Sequence, residues 1–141
     1  MARLFVRRRG GGIEVRLNAA GRAFVAAVAQ RVAAAERGDD PGWGPLLASP
    51  IEPAGVEDPL VTLGRQRDVA TNAELVGLTV GDDELTDAEA WAWLSTLQLA
   101  LRALADENAI TDDDALASSA SPIVDQVHTL QLMLFALASC L

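Results

Sequence analysis

One histidine and one cysteine leave this chain few ways to assemble a reactive centre. Nucleophilic catalysis at Ser or Cys needs a base within hydrogen-bond reach, and His128 is the only imidazole. It stands on a mostly apolar background in the last predicted helix, where a core or flank histidine is the ordinary reading. Cys140 follows about three helical turns later, too far for a hydrogen-bonded pair within one helix. The acidic runs Asp39-Asp40, Asp82-Asp83-Glu84 and Asp112-Asp113-Asp114 lack the glycine and terminal-Glu spacing of a calcium loop and read as helix caps and solubilising charge. Gly10-Gly11-Gly12 has no downstream lysine, as a nucleotide loop requires, because lysine is absent from the chain. No catalytic, cofactor-binding or metal-binding residue is therefore assigned, and the protein is expected not to be an enzyme. An unrecognised site is kept as the third reading.

The charge distribution is more informative. Residues 1–37 hold eight arginines against Glu14 and Glu36, a net of +6, whereas residues 38–141 hold three arginines against eighteen acids, a net of −15. The total of −9, with an isoelectric point near 4.4, disfavours broad nucleic-acid binding, since duplex DNA is itself a dense line of negative charge. The cluster Arg7-Arg8-Arg9 carries two readings. Guanidinium groups grip phosphate or carboxylate in bidentate fashion, and charged residues on a sheet edge also block unwanted strand pairing. Arg7, Arg8, Arg9, Arg16 and Trp43 are the candidate partner-binding residues; Trp43 qualifies only if exposed, since a buried Trp43 would merely pin its loop to the core.

The elements that position these residues follow from local chemistry. Over 1–17, Leu4-Phe5-Val6 and Ile13-Glu14-Val15-Arg16-Leu17 flank the glycine triplet and predict a β-hairpin. A lone hairpin is marginal in water, so it must lie on the helices or pair with another strand, including one from a second subunit. Asn18 is a good N-cap for a helix over 18–37, closed by Gly38. Residues 39–58 hold four prolines and three glycines and read as a long loop. Residues 59–80 read as two short helices, one opened by Asp58-Pro59 and one over Thr71–Thr79. Thr86-Asp87-Ala88-Glu89 matches a capping box and starts a long helix over 86–106 with Trp91, Trp93, Leu94, Leu97, Leu101 and Leu104 around most of its circumference. Ser121 as cap and Pro122 as first residue open another over 122–141, carrying Val127, Leu130, Met133, Leu134 and Leu137. Asp125, Gln126, His128, Thr129 and Gln131 interrupt this most apolar stretch and argue against a membrane span, and the charged, glycine-bearing start of the chain argues against a targeting segment. With a single cysteine there is no internal disulfide, and a reducing cytosol is the simplest compartment.

The segment Glu84-Leu85-Thr86-Asp87-Ala88-Glu89-Ala90-Trp91-Ala92-Trp93-Leu94, the later Asp125-Gln126-Val127-His128-Thr129-Leu130-Gln131 and the opening Ile13-Glu14-Val15-Arg16-Leu17 together resemble an actinobacterial family of unknown function, DUF2017, whose Asp-Pro-Leu element matches Asp58-Pro59-Leu60. Members of that family are often encoded beside the adaptor of the Clp protease, and some have been labelled transcriptional regulators. The resemblance implies a cytoplasmic accessory protein with a partner in regulated proteolysis, and it carries over no catalytic residue or cofactor. The fold expected is mostly α, a single-domain helical bundle built on a long antiparallel C-terminal helix hairpin with a short N-terminal β-hairpin. The function expected is non-enzymatic and works through protein contacts, as a homodimer because the apolar helix faces are broader than one small core needs; a transcriptional regulator touching DNA through the Arg-rich hairpin is the alternative.

Overall fold

A computed structural model of the chain describes residues 3–48 and 59–141. The protein is mostly helical, with a small antiparallel sheet at its N-terminal end. Strands β1 (Phe5–Arg7) and β2 (Ile13–Val15) pair with Phe5 opposite Val15 and Arg7 opposite Ile13. The turn between them needs glycine at Gly11 and Gly12, whose φ values of 98° and 83° lie in the left-handed region.

The hairpin finds its third strand within its own chain. β3 (Glu84–Leu85) pairs antiparallel with β2, setting Leu85 opposite Ile13. Gly12 permits this approach a second way: a Cβ there would stand 2.6 Å from Glu84 Oε1 and 3.1 Å from the Leu85 carbonyl oxygen.

Helix α1 (Ala19–Glu36) begins where the Asn18 side chain accepts the Gly21 N–H, and it ends before Gly38 at φ 78°. The stretch 39–58 is less uniform than its prolines suggest, because a short helix, α2 (Gly44–Ala48), forms inside it; residues 49–58, including Ile51 and Asp58, lie outside the described residues. Where the sequence reads as two short helices there is one, α3 (Pro59–Thr79). Its apolar periodicity is broken by the polar and small residues Gly64 to Asp68 and Ala70 to Asn72, so the pattern hides a continuous helix that tertiary packing supports.

Helix α4 (Asp87–Glu107) starts at the Thr86 capping box, with the Thr86 hydroxyl accepting the Glu89 N–H at 3.1 Å and the Glu89 carboxylate accepting the Thr86 N–H at 2.8 Å. A single-turn helix, α5 (Asp113–Ala117), lies in the stretch between α4 and the last helix and is capped by Asp112. In α6 (Ser121–Ala138) the cap is Ala120, with no side-chain hydrogen bond, and Ser121 is already helical. The fixed φ of Pro122 suits the first turn without a side-chain cap. Among the described residues, no helix is long and apolar enough to cross a membrane.

The core gathers around α4, which touches α1, α2, α3, α6 and β3. Trp93 is fully buried, its indole N–H donates to the Thr79 hydroxyl at 2.8 Å, and its ring meets Phe5 edge to face at 6.1 Å. Sheet, α3 and α4 are thereby joined at one point. Each fully buried leucine of the core, such as Leu97, Leu130 or Leu137, contributes roughly 1.5–3 kcal/mol. Helix α6 is peripheral rather than buried all round: Val127, Leu130, Met133 and Leu137 face the core, while Leu132 and Phe135 remain exposed.

Candidate functional site

The candidate arginines are placed unequally. Arg7 makes a bidentate pair with Asp87, and Arg8 Nη1 stands 3.6 Å from Glu84 Oε2. Arg16 lies 3.2 Å from Glu14. The Arg8 and Arg7 contacts tie the hairpin to β3 and to the first turn of α4, and Arg7 holds the Asp87 carboxyl below its ordinary range. Two further arginines act as internal clamps. Half-buried Arg22 donates to the carbonyls of Leu17, Val80, Asp82 and Val15 and to the Asp83 carboxylate, fastening α1 to β2 and to the link between α3 and β3. Arg31 donates to both oxygens of Asp40, approaches Glu107 at 3.5 Å and stacks over the Trp43 ring at 3.9 Å.

The Arg31 corner also explains Trp43. Asp40 accepts from the Gly42 and Trp43 N–H groups as well as from Arg31, and chiefly through the Arg31 hydrogen bonds its pKa falls to about 2. The loop is thus closed on itself with the indole inside. At 2% exposure Trp43 offers no surface to a partner and instead pins its loop to the core. Among the described residues its Nε1 has no hydrogen-bond partner, and a cavity of about 490 Å³ between α1 and this corner includes Trp43, Phe24, Val28 and Leu104 in its wall.

Of the eight arginines in residues 1–37, Arg7, Arg8, Arg16, Arg22, Arg31 and Arg37 make ion pairs. Arg3 and Arg9, on either side of β1, make none among the described residues.

Beside β1 lies a second, larger groove of about 690 Å³. Leu4, Val6 and Arg3 form one wall, and the other is formed by Leu132, Phe135 and Ala136 of α6 with Cys140 just beyond its end. Leu132 is 53% and Phe135 74% exposed. Leu132, Phe135 and Ala136 stand at i, i+3 and i+4 of α6, and Ser139 and Cys140 follow in the turn that ends it, so they form one continuous face beside the core stripe. That spacing is the signal in the sequence that would have located the groove. His128 is exposed on the same helix, about two turns before Phe135. No family model, curated protein or solved structure matches the chain.

Proposed function

We propose that this protein is a non-enzymatic accessory module that works through protein contacts, with the groove between β1 and α6 as its contact surface. The observation that carries this reading is the pair Leu132 and Phe135, large apolar side chains left in water on a contiguous helix face that walls a roomy groove. Isolated exposed apolar residues are ordinary, but a contiguous patch in a concavity marks a place where another molecule sits. The α4–α6 pair serves as the antiparallel hairpin of the bundle and presents that face. The resemblance to DUF2017 supports a cytoplasmic setting and a partner in regulated proteolysis. The DNA-contact alternative is less well supported, because Arg7, Arg8 and Arg16 are engaged by acids of the same chain. The test is a pull-down from native cytosol with the intact protein and with Leu132→Ser/Phe135→Ser. Loss of a specific protein in the variant supports the reading, and an unchanged set of captured proteins rejects it.

A homodimer is the second reading, favoured by Leu78 at 80% and Trp91 at 57% exposure, neither of which lines the groove. Light scattering on the eluting peak decides it: a monomeric mass at tens of micromolar removes the dimer.

A further inference from the structure

The groove's strand wall is the outer edge of the sheet. β1 pairs only with β2 in the order β1-β2-β3, so its other side carries no strand among the described residues. The Arg16 N–H donates to the Leu4 carbonyl at 2.8 Å, the Arg8 N–H donates to the Gly12 carbonyl at 3.1 Å, and Val6 stands opposite Glu14. Leu4, Val6 and Arg8 therefore turn their backbone groups toward β2. By the alternation of an antiparallel ladder, the N–H and C=O of Phe5 and Arg7 point the other way, off the open edge. Native proteins usually blunt such an edge with charge or cover it. Here α6 forms the far wall of the groove of about 690 Å³ beside the strand, and it offers Leu132 and Phe135 to whatever enters.

We propose that this edge accepts an extended, acidic segment of a partner protein as a fourth strand, with its apolar side chains against Leu132 and Phe135 and its carboxylates toward Arg3 and Arg9. The proposal rests on the protein-contact reading above and gives it a mode, strand addition, in which backbone hydrogen bonds supply affinity and alternate side-chain pockets supply selectivity. Charge decides the occupant. Six of the eight N-terminal arginines are paired within the chain, and the two left without an ion pair among the described residues flank this strand. A second copy fits poorly: antiparallel pairing of β1 with itself about Val6 sets Arg3 across from Arg9 of the copy, and like charges placed opposite are unfavourable. An acidic strand meets the same positions with opposite sign.

The experiment titrates the full chain, isotope-labelled, with short acetylated and amidated peptides: one alternating Val or Leu with Glu, one with Lys in place of each Glu, and two versions of the acidic peptide N-methylated on either set of alternate residues. The acidic peptide is expected to bind, to slow hydrogen exchange at the Phe5 and Arg7 amides and to weaken as salt rises. The lysine peptide and one of the two methylated peptides should bind at least about tenfold more weakly, while the other methylated peptide binds as the parent does, because only alternate N–H groups face the edge. Arg3→Glu should reverse the charge preference without disturbing the fold. Equal binding of acidic and basic peptides, equal behaviour of the two methylated peptides, unchanged exchange at Phe5 and Arg7, or no binding at all overturns strand addition. If any of these is found while Leu132→Ser/Phe135→Ser still loses a captured protein, the contact reading stands and only its mode falls; if the pull-down is also unchanged, both fall.

Discussion

The corner around Arg31 and the groove beside Arg3 use the same ingredients, an arginine next to aromatic and aliphatic side chains, and end in opposite states. At the corner every charge has a partner: Arg31 has Asp40, Glu107 and the Trp43 face, and Asp40 has two backbone N–H groups besides. At the groove the aromatic is three-quarters exposed, and Arg3 makes no ion pair among the described residues. A closed network holds a loop in one geometry, because each member restricts where the others can sit. An open groove stabilises nothing by itself. The contrast separates residues that make the fold from residues that remain available to another molecule.

The largest effect should come from the corner. Trp43→Ala removes a buried aromatic and the surface on which Arg31 lies, and is expected to cost about 3 kcal/mol in chemical denaturation. A loss under about 1 kcal/mol would mean that the corner collapses freely and is no better ordered than the groove.

Asp40→Asn should cost about 2 kcal/mol near neutrality, since a folded pKa of about 2 sits below the ordinary carboxylate value. The sign fixes the pH window. A depressed carboxylate stabilises fully above its ordinary pKa and loses that contribution as pH falls through the folded value. The gap between wild type and variant should therefore narrow between about pH 4 and pH 2, and a gap independent of pH would show that the Arg31–Asp40 bonds are not its source.

The sheet that carries the groove has its own weak point at Gly12. Gly12→Ala should cost about 1–2 kcal/mol, because it combines a left-handed φ with a clash against β3. Gly10→Ala, where nothing lies within 4 Å of the added carbon, is the control that should be nearly neutral in the same thermal melts.

These differences follow a gradient in what a sequence can show. Thr86 and Glu89 are three residues apart and satisfy each other's backbone, so the start of α4 is legible from four letters. Asn18 and the glycine turn are equally local. β3 is only two residues long and gains its identity from β2, far away in the chain. The Arg22 clamp joins positions 58 to 61 residues apart, and an arginine in a string of alanines gives no hint of its partners. α3 reads as two pieces because its apolar residues do not keep a helical period, while neighbouring helices supply the support that periodicity would signal. In α6 the apolar pattern was legible but its use was not. A sequence with apolar residues on two adjacent helix faces looks buried, and only the placement of α4 on one of them shows that the other is bare.

The smallest stability effect is expected where the functional effect is greatest. Phe135→Ser removes a ring that is already mostly in water, so the unfolding free energy should change by no more than about 0.5 kcal/mol in either direction. The same substitution should remove the captured partner, because the ring is the most prominent part of the groove's helical wall. A large destabilisation would show that Phe135 packs against the fold in solution, placing the groove in the same class as the Arg31 corner. Unchanged stability with unchanged capture would leave the ring a bystander and move the search for the contact surface to Leu78 and Trp91. The two measurements together, on one variant, separate a residue that holds this molecule together from one that joins it to another.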